Sequence, residues 1–430
     1  MSRATTKEID EKFSQAIEGT AFSKLDQTTQ HSLIQLHQKW QFSHQQLRQL
    51  ITMALDLMQW GGTSFHSMVE SVNAHLPDTM ENQRKNYFEK IKKHFDVIRE
   101  DEKDYQRFPC PKPPARQLNI IETSDQHSIL GDCPVASTKT RCCNLKTLDA
   151  VKNCGFDCSY CSIQSFYYDD KIYVDGNLEQ KLKLLKLDPT KRYHIGTGQS
   201  SDSLMWGNRS GLLEKLFDFA THHRNVILEL KTKSANTAEL LQLEIPPNVI
   251  ITWSLNTLTI IANEEHHTAS LEQRLLAAKR VEERGNLIGF HFHPMVIYPD
   301  YRNDYRQIAE KIQQDFNPQL VAMISLGTLT FIKPVLKQLR QRLLPSKILQ
   351  MPFEEIAGKY SYPLAQKEEL FSTFFQHFSA EWKQQVFFYL CMEDPSLWEK
   401  VFGHHYADNT QFEAAMIESY FQKIDALRKR

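Results

Sequence analysis

Apolar residues recur every three or four positions through the first hundred residues of the chain. Leu33, Ile34, Leu36 and Trp40, then Leu47, Leu50, Ile51, Leu55 and Leu57, trace the stripe of amphipathic helices. The Gln, Glu and Lys residues between them are good helix formers. Residues 5 to about 105 are therefore expected to be helical, with a break at Gly61-Gly62-Thr63 and an end at the Pro-rich stretch Pro109 to Pro114. From about residue 125 the texture changes. RYHIGTG, NVILELKTK, NVIITWSLNT, LIGFHFHPMVIYP and LVAMISLGTLTF are short strand-like runs. Between them GLLEKLFDFATHH and SLEQRLLAAKRVEERG keep helical spacing, the latter closing on Gly285 as a C-cap. Strand–helix alternation predicts a parallel sheet with crossover helices, curled as a partial or full (β/α) barrel. From about 365 the pattern is helical again, and the aromatic stripe of FSTFFQHFSAEWKQQVFFYLCM reads as core. The expected organisation is an α/β core over residues 131–362, preceded by a helical region (1–108) and a linker (109–130), and followed by a helical region (363–430).

Composition narrows this picture only a little. The hydrophobic share of 41% and charged share of 24% are ordinary for a globular protein. No apolar run is long enough to span a bilayer, and MSRATTKEIDEKFSQ lacks a signal core, so a cytoplasmic protein is expected. The net charge of -1 argues neither for nor against nucleic acid. The charges of the N-terminal helices are mixed rather than clustered, which favours a packing or lid module over a DNA-binding arm.

The chemistry enters with NCGFDCSYCSIQSFYY, where Cys154, Cys158 and Cys161 follow the spacing C-x3-C-x2-C. Structural zinc usually takes paired knuckles, and a disulfide framework does not suit eight cysteines in 430 residues without a secretory signal. A [4Fe–4S] cluster normally takes a cysteine on each of its irons, so a loop of three suggests one iron open to a small ligand. Spacing and the Tyr160-Cys161 pair resemble the radical S-adenosylmethionine (radical SAM) enzymes. In those enzymes the open iron holds the amino and carboxylate groups of S-adenosylmethionine.

The segments CGFDCSYCSIQSFYY, IGTGQSSDS, LELKTK, ITWSLNT, EEHHTASLEQRLLAAKRVEERGNLIGFHFHPMVIY, TFIKP and GKYSYP are similar in kind, order and spacing to spore photoproduct lyase, over roughly residues 130 to 390. That family splits an ultraviolet-induced thymine dimer with an adenosyl radical. The resemblance implies that Cys154, Cys158 and Cys161 ligate the cluster, and that Lys233 at a strand end pairs with the cofactor's carboxylate. It also implies that Ser201 and Asp202 lie near the cofactor, Asp202 as a ribose acceptor. Ser254 would add a hydroxyl at the next strand end, and Tyr160 would pack near the adenine. The implied partners are DNA or another nucleotide-containing substrate and a reductant such as flavodoxin or ferredoxin, with no membrane.

Two departures stand out. Gln199 occupies the position of the family's hydrogen-donor cysteine, and Ser162 stands where a tyrosine is expected. Cys133, Cys142 and Cys143 ahead of the loop, and Tyr167 and Tyr168 after it, are the candidates to substitute; the cysteines also have the density of an auxiliary metal site. His291 and His293 alternate on one strand and share a face, as acid–base groups, phosphate contacts or bonded interior histidines. His266 and His267 read as loop, before a helix that Thr268 or Ser270 caps. Two other functions compete with photoproduct repair. One is radical SAM chemistry on a modified nucleobase, peptide or small metabolite; the other is a non-catalytic iron–sulfur or zinc DNA-binding protein.

Overall fold

The computed structural model describes residues 11–74, 83–124, 127–133, 139–162, 170–356 and 358–429. Tyr167 and Tyr168 lie outside these described residues. The chain divides into two compact units, Met1–Pro113 with Ile332–Phe353, and Pro114–Phe331 with Glu354–Arg430.

The first unit is helical. Gln27–Trp40 starts at Asp26, whose carboxylate accepts the Thr29 amide at 2.9 Å. His44–Trp60 starts at a capping box, in which Ser43 and Gln46 each satisfy the other's backbone amide. Phe65–Ala74 and Gln83–Glu100 complete a core that buries Leu33, Leu47, Leu50, Phe65, Met68 and Tyr87. The helix Lys333–Arg342 joins this unit instead of the barrel segment in which the sequence placed it. The reason is chemical: Arg340 Nε donates to the buried Asp56 carboxylate at 2.6 Å, and Gln59 caps the carbonyls of Leu339 and Arg340.

The second unit is built on one curled half-barrel sheet of eight strands. In chain order these are β1 (Leu130–Asp132), β2 (Lys146–Leu148), β3 (Tyr193–Thr197), β4 (Val226–Thr232), β5 (Val249–Ser254), β6 (Ile288–Met295), β7 (Val321–Thr328) and β8 (Phe387–Leu390). Their order across the sheet is the order along the chain, and every pair except β1–β2 is parallel. Helices Leu212–His222, Leu271–Glu283, Tyr301–Asp315 and Leu364–Gln376 provide crossovers. β4, β5 and β7 are almost wholly buried, which explains their continuous apolar texture.

Three details differ from the sequence reading. The stretch read as a linker carries a strand, Asn119–Thr123, which pairs in parallel with Lys171–Asp175. The C-terminal aromatic run is not all helix, because Phe387–Leu390 leaves it to become β8 beside β7. A helical aromatic stripe and a half-buried strand look alike over so short a run. His266 is not loop: Glu265–His266 forms a two-residue strand against Asp157–Cys158.

Candidate active site

The cysteine loop is fixed from both sides. Asn153 takes a positive φ of 68° and its side-chain carbonyl accepts the Cys154 amide at 2.8 Å. On the far side Cys158 faces Glu265 across the short antiparallel pair, and the Ser159 amide donates to the Glu264 carbonyl at 2.9 Å. The Cys161 amide then turns back onto the Cys158 carbonyl at 3.2 Å.

This loop forms one wall of a cavity of about 160 Å³. Cys154, Phe156, Cys158 and Cys161 contribute that wall. The others come from strand ends: Gly198, Gln199, Ser201 and Asp202 after β3, Lys231 to Lys233 at the end of β4, Ser254 at the end of β5, and His293 on β6. The carboxyl ends of parallel strands are where such barrels place their chemistry. Gly198 has φ of +82°, and a Cβ there would lie 2.5 Å from the Lys231 carbonyl, so only glycine lets this turn close against β4.

Each expected cofactor residue has a definite place. Lys233 Nζ lies 3.5 Å from Glu265 Oε1 and 5.8 Å from the Tyr160 ring centroid. Asp202 is buried and heavily used: Oδ1 accepts Thr232 Oγ1 at 2.7 Å and the amides of Leu204 and Met205, while Oδ2 accepts the Lys233 amide at 2.7 Å. Its first duty is thus to brace the end of β4. Burial pushes its carboxyl pKa up, against the pull of those hydrogen bonds. The Ser201 hydroxyl accepts Trp206 Nε1 at 3.2 Å, and the Ser254 carbonyl accepts Arg274 at 2.7 Å.

Tyr160 is turned towards Glu265. Its hydroxyl donates to Glu265, it is buried, and it does not line the cavity. Glu265 draws it inward because that carboxylate also binds Arg274 at 2.6 Å, forming a buried ionic hub behind the loop. The aromatic on the cavity wall is Phe156, which sequence reasoning did not single out. Lys231 and Thr232 were not picked out as wall residues either, whereas His293, one of the two histidines read as sharing a strand face, does lie on the wall; alternation along β4 was the signal available.

The remaining thiols gather elsewhere. Cys142 and Cys143 hydrogen-bond to each other, and the Cys143 interaction draws the Cys142 thiol down to about 7 despite burial. Cys391, following β8, is close enough to sense the charges of Cys142, Lys231 and Cys133. None of Cys133, Cys142, Cys143 or Cys391 lines the cavity. Arg141 and Glu393 form a backbone bridge between the segments following β1 and β8, which brings these cysteines together.

Burial, Asp202 and the neighbouring cysteines push the Cys154 thiol well above its ordinary range, and burial does the same for Cys158. To ionise, Cys154 and Cys158 therefore need a strongly cationic partner. Among the described residues no three His, Cys, Asp or Glu side chains converge as ligands of a single metal ion. Three thiols on one wall suit a polynuclear cluster, whose irons carry separate cysteines.

The profile of the spore photoproduct lyase family matches residues 147–389, more than half of the 430-residue chain. Spore photoproduct lyase of Clostridium acetobutylicum is 26% identical over 170 residues, which are 38% of this chain and 50% of that protein. The chain thus spans about half the length of the curated relative it matches. Among solved structures, spore photoproduct lyase complexed with dinucleoside spore photoproduct superimposes with a TM-score of 0.55 at 18% identity, covering 63% of this chain and 82% of the other. A doubly substituted spore photoproduct lyase with bound AdoMet and dinucleoside spore photoproduct gives 0.54 at 18% identity, with the same coverage. At such identities these two show a common fold. The family match itself runs from β2 almost to the end of β8 and takes in every residue of the cavity wall, so the chain belongs to the spore photoproduct lyase family.

Proposed function

We propose that the chain is a radical SAM enzyme acting on a nucleotide-containing substrate. The observation that carries this reading is the convergence of Cys154, Cys158, Cys161, Lys233 and Ser254 on one cavity at the strand ends. The three cysteines would hold a [4Fe–4S] cluster, which when bound supplies the electron for reductive cleavage of S-adenosylmethionine. Lys233 offers an ammonium to the cofactor's carboxylate, which would compete with Glu265 for it. Ser201 and Ser254 present hydroxyls, Phe156 an apolar face, and Asp202 keeps the Lys233 backbone in place. Related solved structures hold AdoMet and a dinucleoside spore photoproduct, which supports a nucleotide as the substrate class.

Gln199 lines the same cavity. An amide N–H is too strong to give a hydrogen atom to a carbon radical, whereas a thiol does so readily. Thymine-dimer repair would accordingly be poorly quenched unless another thiol serves, and a different nucleotide substrate or chemical ending is the second reading. Cys142 and Cys143 are the candidates from sequence, and the fold adds Cys391, which senses the charge of Lys231 on the wall.

Anaerobic reconstitution tests the reading. About four irons per chain are expected, along with methionine and 5′-deoxyadenosine when AdoMet and dithionite are added. Dinucleoside spore photoproduct then reports whether the substrate is retained. A full cluster in the Cys154→Ala/Cys158→Ala/Cys161→Ala variant would place the ligands elsewhere and overturn the assignment.

A further inference from the structure

The sheet also carries a line of polar side chains to which the proposed cofactor site gives no role. Glu229 on β4 is buried, yet each carboxylate oxygen meets an imidazole. Oε2 lies 2.8 Å from Nε2 of His194 on β3, and Oε1 lies 2.6 Å from Nε2 of His291 on β6. Thr252 on β5 also donates to Oε1 at 2.8 Å. On the other side of His291, Nδ1 is 2.5 Å from the Ser325 hydroxyl on β7. That hydroxyl oxygen is 3.1 Å from Nε2 of His293, and the His293 ring lines the cavity.

The hydrogen positions follow from donor and acceptor rules. An ionised carboxylate only accepts, so His291 and His194 each carry hydrogen on the nitrogen facing Glu229. A neutral imidazole has one bare nitrogen. His291 Nδ1 is therefore bare and accepts the single Ser325 hydroxyl hydrogen. The serine oxygen must then accept from His293 Nε2, leaving His293 Nδ1 bare. Burial, then the charge of Lys231, holds His291 down at about 4, so the neutral form is the relevant one near pH 7. Gly327 makes room for this ring: a Cβ there would sit 3.2 Å from His293 Nε2 and Cδ2.

We propose that His293, Ser325, His291 and Glu229 form a proton relay that opens on the cavity and accepts a proton from a bound N–H acid, such as the imide of a pyrimidine base. The relay rests on the reading of the cavity as a nucleotide site. The substrate proton goes to His293 Nδ1, the Nε2 proton to the serine oxygen, the hydroxyl proton to His291 Nδ1, and the His291 Nε2 proton to Glu229 Oε1. No electrons change hands. Glu229 becomes neutral as the substrate becomes one unit more negative; because His291 and His194 keep that carboxyl strongly acidic, the transfer is transient and depends on Lys231 and Lys233 holding the substrate anion at the mouth. Lys231 and Lys233, which together with His291 and Glu229 are the charged or titratable groups felt by His293, line that mouth.

Histidine-ring ¹⁵N NMR on the full chain, before and after anaerobic reconstitution, tests the relay. The expected result is hydrogen on Nε2 and a bare Nδ1 for both His291 and His293. Dinucleoside spore photoproduct should then shift the His293 Nδ1 signal towards its hydrogen-bonded or protonated value. Ser325→Ala, with a melting point near wild type, should abolish the coupled shift at His291 while leaving that at His293. His293→Phe should weaken dinucleoside binding by about tenfold. Hydrogen on His293 Nδ1, or no change there at a dinucleoside concentration that equilibrium titration shows to be saturating, overturns the relay, whereas absence of dinucleoside binding overturns the nucleotide reading on which it rests. Formation of 5′-deoxyadenosine from AdoMet is measured separately, so a failure of radical chemistry is not confused with a failure of the relay.

Discussion

Two buried glutamates, one behind the cysteine loop and one inside the barrel, solve the same problem in opposite ways. Glu265 is met by full cations: Arg274 at 2.6 Å and Lys233 at 3.5 Å, with the Tyr160 hydroxyl and, at 3.4 Å, Asn256 adding hydrogen bonds. Burial alone would raise its pKa, but Arg274 and Lys233 outweigh this and bring it to about 2. Glu229 is met by imidazoles and a threonine. Burial opposes its charge too, and His291 and His194 hold its pKa well below the carboxylate range. A guanidinium cannot give up its proton, whereas an imidazole can. The first arrangement locks a charge and so fixes the loop; the second lets a proton move.

The comparison breaks first at Arg274. Its side chain is fully buried and also holds the carbonyls of Ser254 and Ala269, so Arg274→Met strands Glu265 without its main counter-ion. Breaking one partner of a buried pair costs about 3–5 kcal/mol, and urea unfolding should show a loss of that size. Glu229→Gln should cost less, about 1–3 kcal/mol, because an amide still accepts from one imidazole. Equal losses in the two variants would mean that the two sites are held in the same way.

A second contrast is one of pH. The folded pKa of His291 is lowered to about 4 from an ordinary 6.5, chiefly by burial. Between these values the unfolded chain binds a proton that the folded chain refuses, so stability rises with pH across the window. It is complete above about 6.5 and is lost as pH falls towards 4. A shift of this size corresponds to roughly 3 kcal/mol. His293, lowered in the same direction, adds to the same limb. Unfolding free energy measured from pH 7 to pH 4 should fall in wild type and fall less steeply in His291→Gln. A parallel slope in the variant would remove His291 from the account.

Much of this was legible beforehand because periodicity reports burial directly. β4, β5 and β7 announce themselves as apolar runs, and the helices between them as stripes, so the curled parallel sheet could be anticipated. The cysteine loop was legible because its spacing is local. The partners of each side chain were not. Nothing in the run SYC says that Tyr160 turns to a glutamate 105 residues later. The fate of Lys333–Arg342 was equally hidden, since it depends on the Asp56–Arg340 pair across 284 positions. Glu229 drew no notice in the sequence because a lone glutamate in LELKTK looks like an exposed strand position, and its imidazoles come from strands on either side.

Lys233 belongs to the locked site yet also faces the cavity, so it sharpens the distinction at smaller scale. Lys233→Ala should weaken AdoMet binding by about ten- to a hundredfold, equivalent to about 1.5–3 kcal/mol for a charge-assisted hydrogen bond. Arg274 stays on Glu265 in this variant, so the fold should tolerate the change. Unchanged AdoMet affinity, measured by equilibrium binding to reconstituted protein, would assign Lys233 wholly to Glu265.

The smallest expected effect separates the loop's frame from its ligand. Tyr160 gives one hydroxyl hydrogen bond to a carboxylate that keeps Arg274, Lys233 and Asn256. Tyr160→Phe removes that bond and leaves the ring, so it should cost about 1 kcal/mol of stability. The acceptor is not orphaned, because the remaining donors still satisfy it. Since Tyr160 does not line the cavity and Phe156 does, AdoMet affinity should be unaffected by Tyr160→Phe but reduced by Phe156→Ala. Thermal unfolding and AdoMet titration on the two variants decide the matter. A Tyr160→Phe protein of unchanged stability that binds AdoMet weakly would move Tyr160 out of the Glu265 hub and onto the ligand.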